Sequence, residues 1–212
     1  MRSVVSLLLW LSLAFQVGAQ TIDTCFVCSL IPDSVFARMQ GKSYKGSCPV
    51  PRSELRYLRL SYRDAHGQTQ RGELICNQSI AQDLVSIFRQ LWEADYRIER
   101  MQLIDDFGAD DERSMDANNK SCFNYRTIAG SNVTSKHGRG LAIDINPLYN
   151  PCVKGKTIQP KRGRKWAFGR DRRKDIPYKI HRKDLCYLLF KEHGFRWGGD
   201  WRSLKDYQHF EK

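Results

Sequence analysis

An ionisable side chain inside an apolar strand is the feature that most constrains how this chain can fold. Residues 141–145 are Leu-Ala-Ile-Asp-Ile, and Leu141, Ile143 and Ile145 share one face because side chains alternate along a strand. Asp144 then points from the opposite face. Burying a carboxylate costs free energy unless the group is paired or bound to a metal. The strand therefore predicts a partner for Asp144 that another part of the chain supplies.

Two histidines are candidates for this partnership. His137 precedes Asp144 by seven residues, and the two glycines that follow it permit a tight turn that folds the imidazole back over the strand. His209, near the C-terminus, is a candidate third group. Imidazole and carboxylate both bind zinc, and three protein ligands leave a fourth position for water, as in catalytic sites. Asp206, three residues before His209, is a candidate general base.

Two segments together resemble a known family. The pattern Ser-x-His-x2-Gly-x-Ala-x-Asp that begins at Ser135 resembles the signature of the zinc D-alanyl-D-alanine carboxypeptidase and L-alanyl-D-glutamate peptidase family. Residues 197–201, Trp-Gly-Gly-Asp-Trp, and residues 206–211 are similar to the closing motif of that family. The resemblance implies the α+β fold that the family shares with the Hedgehog signalling domain. We therefore expect a small antiparallel sheet with helices packed on one side.

The resemblance also implies roles for individual residues. It implies a Zn²⁺ site whose ligands are His137, Asp144 and His209, with Asp206 as catalytic base. Arg126 matches the arginine that stabilises the carbonyl oxygen of the substrate as it becomes an oxyanion. Ser135 either binds substrate or fixes the turn before the first histidine, and we favour the turn. Gln208 departs from the pattern, because an apolar residue is common there, and this departure leaves the choice of substrate open.

The first nineteen residues indicate export. Arg2 is the only charged residue before position 20, an apolar core begins at Leu7, and small residues end it near Ala19, as in a secretory signal peptide. The apolar run is shorter than the roughly 20 residues of a membrane span, so we expect no transmembrane segment after cleavage. Residues 20–212 would then form a single peptidase domain in a secreted or periplasmic location. In such an oxidising compartment, the seven cysteines are compatible with disulfides, although at least one is free or pairs outside the chain.

Periodicity predicts most of the regular elements. Alternating apolar residues predict a strand that includes Leu58 and Tyr62, with a hairpin partner at 72–76. Apolar residues from Ile80 to Leu91 follow the spacing of an amphipathic helix. The remaining predictions are a strand at 96–104, a polar surface loop at 105–120 and a second helix at 183–193.

The positive charge is concentrated in one segment. The chain has 35 Lys and Arg against 23 Asp and Glu, a net charge of +12, and residues 154–183 contain nearly all of the excess. This segment, which we call the basic segment, is predicted to be a long loop or a small insertion. It is either a solvated surface or a contact surface for an anionic wall polymer or for lipid headgroups, with Trp166, Phe168 and Tyr178 as stacking groups. Export disfavours nucleic acid as the partner.

The leading hypothesis is an exported, zinc-dependent peptidase that hydrolyses peptide bonds in peptidoglycan stem peptides through a zinc-bound water. Both the D,D-carboxypeptidase and the L-alanyl-D-glutamate endopeptidase type remain open. One alternative is a non-catalytic, zinc-containing module of the same fold that binds the wall or a partner protein. The presence of Asp206 disfavours this module, which has no need of a base. A nucleic-acid-binding protein or nuclease is a further alternative, motivated by the basic segment.

Overall fold

The fold combines short helices with small antiparallel sheets. The computed structural model describes residues 25–128 and 130–212, so the predicted signal peptide lies outside the described residues. No helix in these two ranges is long and apolar enough to cross a membrane. The elements, in chain order, are β1 (Phe26–Ser29), α1 (Asp33–Met39), β2 (Leu55–Arg63), β3 (Thr69–Asn77), α2 (Gln78–Glu93), α3 (Asp111–Asp116), β4 (Ala142–Asp144), β5 (Cys152–Lys154), β6 (Thr157–Gln159), α4 (Leu185–Glu192), β7 (Arg196–Trp197), β8 (Lys205–Asp206) and β9 (His209–Glu211).

The predicted hairpin is confirmed as β2 and β3. These strands pair antiparallel with β1 at one edge, in the order β1-β2-β3. Tyr57 lies opposite Ile75, and Leu58 lies opposite Leu74. Because neighbouring side chains point to opposite faces, each face of the hairpin presents its own apolar pair. Both faces therefore need a cover.

Helices cover both faces of this first sheet. On the Leu58 face, α2 packs through residues that include Leu84 and Phe88. On the opposite face, α1 contributes Val35 and Met39 to a second apolar cluster. The predicted amphipathic helix is confirmed as α2, with the Asn77 side chain accepting the backbone N–H of Ser79 at its start. The mixed α and β architecture agrees with the expectation, but the helices are not confined to one side.

Two further three-stranded sheets form the region around the predicted site. Their strand orders are β4-β9-β7 and β6-β5-β8. Strand β4 lies within the predicted strand at 141–145, and its pairing with β9 places Asp144 opposite His209. In the other sheet, β5 and β8 place Cys152 opposite Asp206. The predicted second helix is confirmed as α4, which the Asp184 side chain caps.

The predicted strand at 96–104 is wrong. This segment forms only isolated bridges to its neighbours. The backbone N–H of Glu99 donates to the side chain of Asn146, and the backbone N–H of Gln102 donates to the side chain of Asn119. Asparagine side chains thus accept hydrogen bonds that the backbone of a partner strand would otherwise receive, which removes the need for regular pairing.

The predicted surface loop at 105–120 is also wrong. It contains most of a 3-10 helix (Ile104–Phe107) and all of α3, and several of its polar residues are buried. The Asn119 amide donates to the Ser114 hydroxyl at 3.0 Å, and the Lys120 ammonium donates to the Arg100 carbonyl at 2.7 Å. Internal hydrogen bonds of this kind allow a polar segment to be buried, which polarity along the sequence does not reveal.

The cysteines that the structure describes do not form the disulfides with which an oxidising compartment would be compatible. Cys28, Cys48 and Cys152 are half-buried thiols, and Cys76, Cys122 and Cys186 are buried thiols. The core that they share contains many apolar side chains from the first sheet, α2 and α4. Buried thiols of this kind pack as small apolar groups.

Candidate metal centre

A tight turn brings His137 next to the strand that carries Asp144. The Ser135 hydroxyl accepts the backbone N–H of Gly138 at 2.9 Å, inside the 3-10 turn His137–Arg139. Gly140 ends this turn with a φ of 69°, in the left-handed region. A Cβ at this position would lie 2.7 Å from the backbone nitrogen of Asn77, so a side chain would clash. The turn therefore requires the glycine that the sequence supplies.

Three buried side chains converge at this point. The His137 Nε2 atom lies 3.2 Å from His209 Nδ1 and 3.3 Å from Asp144 Oδ2. His209 Nδ1 lies 3.1 Å from Asp144 Oδ1. Zinc–ligand bonds of about 2.0–2.1 Å in tetrahedral geometry place donor atoms about 3.3 Å apart. The three ligand atoms predicted from the sequence are thus close enough to bind one metal ion.

Hydrogen bonds to the outer nitrogens orient both imidazoles. His137 Nδ1 lies 2.7 Å from the Cys122 carbonyl oxygen, so it donates its proton there and leaves Nε2 free as a ligand. On the other ring, Nε2 of His209 lies 3.4 Å from the Glu211 carboxylate, which leaves Nδ1 facing the shared centre. Such outer partners fix the tautomer and the ring orientation of metal-binding histidines. Arg196 in turn pairs with Glu211 at 2.7 Å.

Electrostatic attraction links Asp144 to the two imidazoles. Burial alone would raise the pKa of the Asp144 carboxyl, but the imidazoles of His137 and His209 outweigh it and hold this pKa well below its usual range. Burial opposes the charged form of His209, yet the carboxylates of Asp144 and Glu211 raise the pKa of His209 to about 10. A metal bound here would displace the proton that His209 carries, since only an unprotonated nitrogen can act as a ligand.

Asp206 lies in the same cavity, of about 470 Å³, as the three candidate ligands. Its Oδ1 atom is buried and has no hydrogen-bond partner among the described residues. Burial raises the pKa of the Asp206 carboxyl, and the imidazole of His209 opposes this shift. The polar side chain of Gln208 favours the charged form of this carboxyl, and Asp206 in turn raises the pKa of the Cys152 thiol, which burial raises most. Gln208 thus gives a polar neighbour to Asp206 where the family pattern has an apolar residue.

Arg126 and Ser135 also line this cavity. The Arg126 guanidinium is about 38% exposed and forms an ion pair with Asp111, whose carboxylate also accepts the Asn124 side-chain amide. Asp111 therefore holds the guanidinium at the cavity wall. The Ser135 hydroxyl is buried and accepts the Gly138 amide, which agrees with the turn-fixing alternative.

A family model described as D-alanyl-D-alanine carboxypeptidase matches residues 129–212. The family resemblance is confirmed over this segment. The carboxypeptidase match includes all three candidate ligands and Asp206, and it begins after Arg126. It covers less than half of the chain, and it supports a peptidase. No solved structure gives a significant match.

Sequence reasoning assigned no role to four residues that line this cavity, namely Glu211, Trp201, Asp111 and Cys152. Glu211 was detectable, because it is two residues after His209 and therefore shares its face of β9. Trp201, whose ring centre lies 5.2 Å from that of His209, belongs to the closing motif but has no diagnostic spacing. Asp111 and Cys152 reach the site through contacts between distant segments, and nothing in their local sequence indicates this.

Proposed function

We propose that this chain is an exported, zinc-dependent peptidase that hydrolyses peptide bonds in peptidoglycan stem peptides. One observation carries the proposal: the three candidate ligands meet at one point, and Asp206, whose buried Oδ1 has no hydrogen-bond partner among the described residues, lines the same cavity. The carboxypeptidase family match supports the substrate class. The sequence features of residues 1–19 support a secreted or periplasmic location.

The donor set fits zinc. Two imidazole nitrogens and one carboxylate, separated by 3.1–3.3 Å, match the ligand types and the spacing that zinc prefers. His137, Asp144 and His209 would hold the ion. When bound, Zn²⁺ polarises a peptide carbonyl and lowers the pKa of water to about 7, so that a nucleophile is available at neutral pH.

Asp206 would move the proton during hydrolysis. Its carboxylate would accept a proton from the attacking water and then donate it to the nitrogen of the leaving amine. Burial raises the pKa of this carboxyl, which makes the protonated form accessible for the second step. A carboxylate already engaged at both oxygens would be a poorer base, so the unpartnered atom favours a catalytic over a merely structural role.

Arg126 would stabilise the charge that develops on the carbonyl oxygen of the substrate. Its guanidinium is held in advance by Asp111, so little reorganisation is needed when the negative charge appears. The alternative, a zinc-containing module without activity, explains neither the orphaned oxygen of Asp206 nor an arginine fixed at the cavity wall. The basic segment would contact an anionic polymer rather than the scissile peptide.

Mass spectrometry of peptidoglycan digests, with and without a chelator, tests the proposal. The same assay separates the two types, since a carboxypeptidase releases a terminal D-amino acid and an endopeptidase splits the stem. We expect Asp206→Ala to retain one zinc per chain while its turnover falls by about 10²–10⁴-fold. Asp200→Ala is the matched control, because Asp200 pairs with Arg182 outside the cavity.

Two results would contradict the proposal at different points. Unchanged turnover in Asp206→Ala would remove this residue from the mechanism while leaving the zinc site intact. A zinc-loaded wild-type protein that releases no product from any stem peptide would favour the non-catalytic module instead.

A further inference from the structure

A second cavity, of about 480 Å³, lies on the opposite side of β8 from the metal centre. Successive side chains of a strand point to opposite faces, and here Asp206 lines the first cavity whereas Lys205 lines the second. Five Lys or Arg residues, His181 and one acidic residue, Asp171, line this second cavity. The Lys and Arg residues are Arg170, Lys179, Arg182, Lys183 and Lys205.

Among the residues that the structure describes, the buried guanidinium of Arg170 forms no ion pair. Arg170 is only 6% exposed, and its guanidinium lies 4.3 Å from the centre of the Tyr207 ring. It donates to the carbonyls of Tyr149 and Trp166 and to the Asn150 side chain, all neutral acceptors. Burial lowers the pKa of Arg170 to about 10, so the group is still charged at neutral pH. Keeping such a charge buried without a carboxylate is costly unless an external anion compensates it.

Two lysines beside it are held in the same way. The Lys179 ammonium donates to the carbonyls of Arg170 and Arg173, and the Lys205 ammonium donates to the carbonyl of Gly199 at 3.2 Å. Within the part of the chain that the structure describes, neither lysine forms an ion pair. By contrast, the exposed Arg182 is neutralised by Asp200. Backbone carbonyls therefore position Lys179 and Lys205, but no carboxylate among the described residues pairs with either of them.

A neighbouring cavity shares part of the lining of this second cavity. A further space of about 340 Å³ shares four of its lining residues, Arg170, Asp171, Lys205 and Tyr207, and extends to Phe168 and Arg172. We call the two spaces together the basic groove. Since they are joined through the same cations, the groove can hold more than one anionic group of an extended chain. A flat membrane surface would not reach a guanidinium as deeply buried as that of Arg170.

The aromatic residues of the basic segment are mostly engaged within the protein. Trp166 has Lys165 at 4.4 Å and Arg173 at 5.2 Å from its ring centre, and Tyr178 packs against Tyr149. Binding of single-stranded nucleic acid relies on aromatic faces that are free to stack on bases. Of the three candidate stacking residues, Phe168 alone is an exposed large hydrophobic side chain. The groove thus favours an anionic chain without bases.

We propose that the basic groove binds a phosphodiester-linked anionic polymer of the cell wall, through contacts of its phosphates with Arg170, Lys179 and Lys205. A guanidinium fork and ammonium groups are the side chains that suit phosphate oxygens. The inference goes beyond the proposed hydrolysis, because no groove residue lines the metal-site cavity. Bound there, the polymer would hold the chain at the wall while the other side of β8 faces the peptide.

Binding of the full chain to fluorescent poly(glycerol phosphate), measured by anisotropy over a range of salt concentrations, tests this proposal. We expect Lys179→Gln/Lys205→Gln to bind about tenfold more weakly. Because two phosphate contacts are lost, the slope of log affinity against log salt concentration should also decrease in magnitude by about two. The matched control is Lys154→Gln/Lys156→Gln, which removes the same charge from exposed positions of the basic segment outside the groove. Thermal unfolding checks that both variants fold.

The outcomes separate the groove from net charge and from other partners. Equal weakening in both double variants would overturn the proposal, because only net charge would then matter. No weakening in either variant would also overturn it. Tighter binding to a single-stranded oligonucleotide of equal phosphate number, or to phosphatidylglycerol vesicles, would reject the wall polymer as the partner. A failed peptidase assay would leave these binding results unaffected.

Discussion

Zinc should stabilise the folded protein by an amount that depends on the three converging ligands. The site exists only in the folded chain, because His137, Asp144 and His209 come from separate segments. A ligand that binds only the folded state adds about 2.7 kcal/mol to the free energy of unfolding at a free concentration of 100 times its Kd. For a domain of this size, 1 kcal/mol shifts Tm by about 2–4 °C, so we expect an increase of about 5–10 °C. Differential scanning fluorimetry with buffered zinc measures it.

The variants His209→Gln and His193→Ala make the test specific. His209→Gln removes one ligand and should abolish most of the zinc-dependent shift. His193 lies outside the cavity, where it pairs with Asp83 at 3.1 Å, so its loss should lower Tm with and without zinc while leaving the shift itself intact. An equal zinc effect in wild type and His209→Gln would refute the reasoning, since the ion would then bind elsewhere. Absence of any effect in wild type would refute the site itself.

Two further predictions concern charged pairs. Asp111→Asn should weaken the hold on Arg126 and reduce kcat, whereas Arg126→Ala should reduce kcat by about 10²–10³-fold; a rise in KM alone, without loss of kcat, would contradict this role. Glu73 accepts two hydrogen bonds from Arg38 and one from Tyr57, which outweigh burial and lower the pKa of Glu73. Glu73→Gln should therefore cost about 1–2 kcal/mol at pH 7. This carboxylate stabilises the fold fully above its unfolded pKa of about 4.3. The difference in unfolding free energy between wild type and Glu73→Gln should therefore vanish as pH falls through the lower folded pKa. A difference that stays constant across a pH series of denaturation curves would contradict this prediction.

Elements defined by local periodicity were predictable from the sequence. The hairpin of β2 and β3 and the helices α2 and α4 follow from the spacing of their own apolar residues, such as Leu58 and Leu84. The segment from 96 to 120 was not predictable in this way. Its backbone and polar side chains are satisfied by groups from distant positions, including Asn146. Periodicity does not reveal such contacts, so a polar segment with internal partners is indistinguishable from an exposed loop.

The candidate metal ligands were predictable for a different reason. An acid inside an apolar strand needs a partner, and the structure brings His137 and His209 to Asp144. Two of the supporting residues, Asp111 and Cys152, were not predictable, because they reach the cavity only through tertiary packing. The roles of Asp206 and Arg126 in hydrolysis stay predictions until the activity measurements are made.

The last strand explains why such short elements can position functional groups. Strands of two or three residues are marginal alone, so they must be anchored by the core. On β9, Phe210 is fully buried and stacks on Phe190 with ring centres 4.3 Å apart. Alternation then turns His209 and Glu211 together toward the cavity, where one offers its Nδ1 and the other orients the ring. The apolar residue between them fixes the positions of both, so the sequence His-Phe-Glu combines an anchor with a ligand and its support.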